Sequence, residues 1–313
     1  MTRSDSVITG LDRITYGIAD LPEGRRFFSD WGLRLVHDDA DRVVFETAES
    51  AQIVLRQMDA KDLPPAIEEG PTVREVVWGV DTAAQLKYLA ERLEAATTVE
   101  GWTDGRLQCR DPVGLSLGFQ MTNRRRARVV GAATNAYGRI SRVNEPSPLY
   151  ERAHPVRLSH IVLSTNAIEE HVAFYRDVLG FHLSDSYPGD GYFLRCQAEG
   201  GHHDLFLLRN ASEGPALNHV SFMVRDIYEV FGGGLHMSRC GWQTAVGPGR
   251  HPISSAIFWY MKSPCGALVE YYADEDYVTA EWQPRELERS AENFAEWAIT
   301  GGIDSTTRKQ KKI

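Results

Sequence analysis

Three short apolar stretches each carry one side chain able to ligate a metal. They are His160 in RLSHIVL (157–163), His219 in ALNHVSFMV (216–224) and Glu270 in GALVEYY (266–272). All three read as strands, where residues alternate faces, so Leu268, Glu270 and Tyr272 share one side. A carboxylate in so apolar a strand is costly to bury unless it is paired or metal-bound. Two imidazoles and one carboxylate, each on its own strand, are the parts of a 2-His-1-carboxylate facial triad, which leaves one face of an iron(II) open. Manganese(II) and zinc accept the same donors, and with no thiolate among them the set does not point to a structural zinc site. Taken singly, each residue has a plainer explanation: Glu270 on a solvated face, either histidine as a satisfied structural group.

Three further residues suit acid–base work beside such a metal. His203 ends Gly200-Gly201-His202-His203 and begins the strand Asp204–Leu208. His251 lies in Pro248-Gly249-Arg250-His251-Pro252, and Tyr260 in Phe258-Trp259-Tyr260, nine residues after His251 and ten before Glu270. A histidine and a tyrosine near a divalent metal serve proton transfer and hydrogen bonding to an oxyanion. By spacing alone the histidine pair reads equally as an exposed loop, and Tyr260 as a core aromatic. Histidine is unevenly spread, with His37 alone in the first half and nine from His154 onward.

The elements that must position these residues form a repeat. Strands are expected at Leu11–Ala19, Val43–Glu46, Ala51–Gln57, Val73–Val80, Leu107–Cys109 and Leu115–Gln120. Helices are expected at Pro22–Trp31 and Ala83–Ala95. Residues 127–155 read as a connection. The second half gives strands at Leu158–Ser164, Tyr192–Cys196, Asp204–Leu208, Leu217–Val224, Ile257–Met261 and Ala267–Tyr272. One helix is capped by Thr165 or Asn166 and runs to Leu179. Another opens at Asp226, where Gly232–Gly234 is a weak helical sequence. Phe27-Phe28-Ser29-Asp30 lies over Phe174-Tyr175-Arg176-Asp177, and Asp111-Pro112-Val113-Gly114 over Ser263-Pro264-Cys265-Gly266. Extending these matches sets Arg13 over His160, Arg74 over His219 within a residue or so, and Gly118 over Glu270. The first half is therefore a copy without the ligands, expected to support packing or assembly.

The 313 residues carry a net charge of −9, with 42% hydrophobic and 25% charged residues. That is an ordinary globular balance with room for two domains. No basic patch suggests nucleic acid, and the run Arg124–Arg128 reads as a solvated or interface loop. No apolar run approaches the roughly 20 residues that span a membrane. Cys109, Cys196, Cys240 and Cys265 form no CxxC pair and no signal peptide precedes them, so free thiols in a reducing cytoplasm are expected.

Together these residues resemble the type I extradiol ring-cleaving dioxygenases of the vicinal oxygen chelate superfamily, the group of catechol 2,3-dioxygenases and 2,3-dihydroxybiphenyl 1,2-dioxygenases. The resemblance covers nearly the whole chain and is strongest from Leu158 to Tyr272. It implies an α+β fold of tandem βαβββ modules, two domains of two modules each. The first is a non-metal domain (1–145) and the second the catalytic metal-binding domain (146–285), followed by a C-terminal segment (286–313) with a disordered basic tail. It implies His160, His219 and Glu270 as ligands of Fe(II), or of Mn(II). His203 matches the family's acid–base residue better than His202, and His251 and Tyr260 match its substrate-side pair. The implied reaction is meta cleavage of a catechol by O2 in aromatic-compound catabolism, giving a 2-hydroxymuconic semialdehyde type product. Partners would be a substituted catechol, O2 and other copies of the chain. Phe193, Asn218, Trp242, Phe258 and Tyr272 are expected to line the pocket, with Arg250 or Arg285 available to a carboxylated substrate. Beyond Glu270 the stretch holding Tyr277, Trp282, Arg285 and Phe294 resembles longer members in which such a segment covers the site. A glyoxalase-like or 4-hydroxyphenylpyruvate dioxygenase-like enzyme, or a metal-free binding protein, are the alternatives on the same fold.

Overall fold

The computed structural model describes residues 6–210 and 214–311. The first half contains β1 (Ile8–Ile18), α1 (Leu21–Trp31), β2 (Arg34–Asp38), β3 (Arg42–Glu46), β4 (Gln52–Gln57), β5 (Thr72–Val80), α2 (Ala83–Ala96), β6 (Val99–Thr103), β7 (Arg106–Arg110) and β8 (Ser116–Met121). This is βαβββ twice over, and the strands form one sheet in the order β2-β3-β4-β1-β5-β8-β7-β6.

The second half repeats it with β9 (Arg157–Thr165), α3 (Ile168–Ala173), β10 (His182–Tyr187), β11 (Gly191–Arg195), β12 (Gly200–Gly201), β13 (Leu205–Arg209), β14 (Ala216–Met223), α4 (Ile227–Arg239), β15 (Thr244–Arg250), β16 (Ile257–Lys262) and β17 (Leu268–Ala273). The C-terminal segment adds β18 (Tyr277–Val278), β19 (Arg285–Glu286), α5 (Ala291–Phe294) and β20 (Trp297–Thr300). β19 pairs with β10 at one edge of the second sheet and β20 with β15 at the other. An exposed sheet edge invites pairing with another chain, and this segment covers both edges. The basic tail, expected to be disordered, carries a bridge between Ile303 and Gln310, and Lys311 N–H donates to the Gly302 carbonyl, so hydrogen bonding draws it back into a turn.

Helix α3 differs from expectation. Neither Thr165 nor Asn166 is its N-cap; Ala167 holds that position, and Thr165 Oγ1 instead accepts from the Ala167 N–H. The helix stops at Ala173 and passes into a π-helical turn over Phe174–Val178. Helix α4 forms through Gly232–Gly234 despite their poor propensity, with Asp226 capping the Glu229 N–H. The reason is close packing: a Cβ on Gly234 would lie 2.1 Å from the Trp259 ring, and one on Gly233 2.8 Å from Tyr271. Propensity gives way to tertiary contact here.

One apolar core joins both halves. Trp31 of α1 stacks on Tyr271 of β17 at 3.4 Å between centroids, and the Tyr271 hydroxyl donates to the Trp31 carbonyl. The strand carrying Glu270 is thus anchored on the first half by its next residue.

Candidate metal centre and substrate pocket

The ligand-type residues meet on the concave face of the second sheet. Register explains why: His160 of β9 lies beside Ser221 of β14, Ser221 beside Glu270 of β17, and Glu270 beside Tyr260 of β16. His219, two residues before Ser221, points to the same face. Bulges in the β14–β9 ladder flank it, a common device for aiming a site residue. One ligand atom from each of His160, His219 and Glu270 lies within 4.8 Å of the others, and all three residues are buried.

Their hydrogen bonding fits a cation between them. His219 Nδ1 faces Asn218 Oδ1 at 2.9 Å, which fixes the proton on Nδ1 and leaves Nε2 bare. That nitrogen is buried, lacks a hydrogen-bond partner among the described residues and lies 3.6 Å from Glu270 Oε2. A lone pair facing a carboxylate oxygen is unfavourable until a metal sits between them. His160 Nε2 approaches the same oxygen at 3.2 Å, and Ser221 Oγ donates to it at 2.5 Å. Burial pushes Glu270 up, but hydrogen bonds from His160 and His251 and the neighbouring imidazoles outweigh it and hold it well below the usual carboxylate range. Burial lowers His219 to about 3, against the attraction of Glu270. An ionised Glu270 and a neutral His219 are in the protonation states a divalent metal needs. Glu275 also neighbours His160 and His203, but burial, with Asp204 nearby, raises it to about 8, so it stays protonated at neutral pH and is the poorer ligand.

His203 sits on one side of this centre, its ring 4.1 Å from that of His160. Burial, then His160, lowers it well below an ordinary histidine. Its orientation is set by His202, which the sequence reading set aside. His202 is fully buried, with Nε2 2.8 Å from Asp185 Oδ2 and Nδ1 3.2 Å from His203 Nδ1. Asp185 also accepts from Arg285 Nε at 3.0 Å and from the Arg285 backbone N–H at 2.7 Å. A carboxylate so placed keeps the His202 proton on Nε2. His202 Nδ1 then accepts the His203 Nδ1 proton, and His203 Nε2 is left bare for the cavity.

On the opposite side, His251 Nε2 lies 3.0 Å from the Tyr260 hydroxyl and 3.6 Å from Glu270 Oε1. His251 Nδ1 donates to the Phe294 carbonyl at 2.6 Å, so Nε2 is the acceptor nitrogen and accepts a hydrogen bond from the Tyr260 hydroxyl. Phe258 stacks on the His251 ring at 4.1 Å. Burial, then Glu270, raises Tyr260 well above an ordinary phenol.

Residues 157–271 match the model of the Glyoxalase/Bleomycin resistance protein/Dioxygenase superfamily. A curated relative, metapyrocatechase 2 of Cupriavidus necator, is 34% identical over 154 residues, 49% of this chain and 46% of its own length. The chain spans about half the length of the curated relatives it matches, from 44% to 47%. Among solved structures, the Mn(II)-bound glyoxalase from Novosphingobium aromaticivorans aligns with a TM-score of 0.75 at 24% identity, over 95% of this chain and 93% of that one. Homoprotocatechuate 2,3-dioxygenase from Brevibacterium fuscum aligns at 0.71 and 20% identity, over 95% and 91%. These alignments show that the chain shares the fold of those structures over 95% of its length, here two sheets of two βαβββ modules each.

The second half of the chain encloses a cavity of about 540 Å³ whose wall includes all six chemistry-bearing residues. Of the expected pocket residues, Phe193, Asn218 and Tyr272 line it. Phe258 stands behind His251 rather than on the wall. Trp242 is not at the site: its ring meets Phe27 edge-on at 4.8 Å, Arg26 lies over it, and its Nε1 donates to Asp30. Its apolar bulk joins the two halves instead. Arg250 and Arg285 are spent on ion pairs with Glu296 and Asp185. In the C-terminal segment Phe294 lines the cavity with Arg289, Ser290 and Asn293. Trp282 donates to the Ser184 carbonyl, and Tyr277 is 70% exposed. Tyr187, Phe206, Ile253 and Val246 complete an apolar wall that the sequence reading missed.

Proposed function

We propose that this protein is an iron(II)-dependent extradiol dioxygenase that cleaves a hydrophobic catechol beside its diol, using both atoms of O2, in aromatic-compound catabolism. One observation carries the reading. A bare His203 Nε2 stands on one side of the His160–His219–Glu270 set, and the His251–Tyr260 pair on the other, around an apolar cavity of about 540 Å³. Two of the relatives that the chain resembles in part, a 3-methylcatechol 2,3-dioxygenase and an iron-dependent extradiol dioxygenase, support it.

His160, His219 and Glu270 would hold the metal, which when bound supplies open positions for a vicinal diol and dioxygen and a route for electrons between them. The rest is work for this chain's own side chains. His251 Nε2, with its Nδ1 proton fixed on Phe294, accepts a proton from a catechol hydroxyl, and Tyr260 donates to the resulting oxyanion. His203, neutral and bare at Nε2, takes a proton within the cavity and returns it as the O–O bond breaks. Phe193, Phe206 and Tyr187 hold the ring and keep water out. Catechol plus O2 then gives a 2-hydroxymuconic semialdehyde type product with no atoms lost. Manganese(II) satisfies the same donors.

Anaerobic reconstitution with Fe(II) or Mn(II), then air and a panel of catechols (unsubstituted, 3-methyl, 3-phenyl, carboxylated), tests this. A yellow ring-opened product is expected. Stoichiometric metal with no colour from any catechol would overturn it.

A further inference from the structure

We propose that the cavity of the N-terminal sheet is a binding site for a small, multiply charged oxyanion, a dicarboxylate or a phosphate compound. The cavity, about 790 Å³, lies on the first sheet in the position the metal pocket holds on the second. Strand register gives the correspondence. Arg13 pairs with Val77 and Thr15 with Glu75, as His160 pairs with Ser221 and Val162 with His219; Val77 then pairs with Gly118 as Ser221 does with Glu270. Arg13 therefore stands for His160, Glu75 (rather than Arg74) for His219, and Gly118 for Glu270. Where one sheet gathers ligands for a cation, the other presents a fixed cation.

The surroundings strengthen that inversion. Six lysine and arginine side chains border the cavity against four carboxylates, in a chain whose net charge is −9. Three of the six are paired: Arg56 with Asp62 at 2.8 Å, Arg110 with Glu100 at 2.5 Å and Arg106 with Glu75 at 3.6 Å. Arg13 instead donates twice to Gln52 Oε1, at 3.1 and 2.7 Å, while the Gln52 amide nitrogen donates to Glu46. Gln52 thus fixes the guanidinium without neutralising it. The Arg106 Nε is buried with no hydrogen-bond partner among the described residues. Burial, then repulsion from Arg106, lowers Arg13 below an ordinary arginine; the attraction of Glu75 and Asp12 offsets this only in part, and Arg42 adds to the repulsion. Guanidinium groups held against one another around a cavity are stabilised by an anion between them, and their planar forks match carboxylate and phosphate oxygens in pairs. The volume suits a small molecule.

The test is calorimetric titration of the metal-loaded full chain with succinate and with inorganic phosphate, ionic strength held constant with sodium chloride. Saturable binding of at least one anion is expected, weakened at least tenfold by Arg13→Gln and by Arg106→Gln, with metal content unchanged. The anion preferred tells a carboxylate ligand from a phosphate one. Should Arg106→Gln fail to fold by circular dichroism, Arg42→Gln at the exposed rim replaces it. Crystals soaked in selenate should show anomalous density between Arg13 and Arg106. No binding of either anion, binding that survives both substitutions, or density in the metal pocket alone would each overturn the proposal.

Discussion

Acid should destabilise the metal-free protein through His219, and the size of the effect follows from its surroundings. The unfolded chain carries this imidazole near an ordinary pKa of about 6.5; the folded protein holds it at about 3. Between those values the unfolded state binds a proton that the folded state refuses, so folding stability falls as pH falls. At pH 5 the unfolded imidazole is almost fully protonated and the folded one is not. The gap of about 1.5 units corresponds to about 2 kcal/mol at about 1.36 kcal/mol per unit. The loss begins near pH 6.5 and is complete only near pH 3. Buried His203, lowered for the same reason, adds in the same direction. The assay is denaturant unfolding of apoprotein at pH 7.5 and pH 5, wild type beside His219→Gln, whose amide does not titrate. The wild type should lose about 2 kcal/mol more than the variant, since carboxylate titration common to both cancels. Equal losses would refute the view that burial keeps His219 neutral. Bound metal should preserve the loss, because a ligated imidazole still refuses the proton that the unfolded chain takes up.

Glu270→Gln removes the anionic ligand and should lower metal affinity at least 100-fold, measured by metal content after dialysis, with the fold retained by circular dichroism. Asp185→Asn and His202→Phe should cut kcat by about tenfold to 100-fold while leaving KM and metal content near wild type; nitrogen-15 NMR should show His203 losing its fixed Nδ1 proton, and an unchanged tautomer would refute the positioning role. A chain ending at Glu288 loses the Phe294 carbonyl and part of the pocket wall. It should retain metal but raise the KM for catechols at least tenfold in steady-state kinetics. Neutral 3-substituted catechols should turn over faster than carboxylated ones, since Arg250 and Arg285 are already paired; a preference for the carboxylated ring would assign Arg289 to it.

The three ligand candidates were legible because a histidine or glutamate in an apolar, alternating strand stands out chemically, and the repeat showed where its counterpart was missing. The first strand after the helix was missed in all four modules. β2 and β6 lie at the edges of their sheet, are mostly exposed, and so lack an apolar pattern. β15 reads Thr-Ala-Val-Gly-Pro-Gly-Arg, and β10 buries Ser184, Asp185 and Ser186. His202 was passed over because a doubled histidine after two glycines looks like an exposed loop. Its partner Asp185 and that residue's partner Arg285 lie 100 positions apart, and no local pattern links them. Trp242 was misplaced because an aromatic suits a pocket and an interface equally.

One short stretch reaches both flanks of the site. Arg285 steadies Asp185 and, through His202, one imidazole; Phe294 holds the proton of the other; Arg289, Ser290 and Asn293 furnish wall between them. None of the three metal-ligand candidates belongs to that stretch. An engineer could therefore exchange residues 285–297 as a cassette, changing which ring the pocket accepts without rebuilding the place where a metal is held.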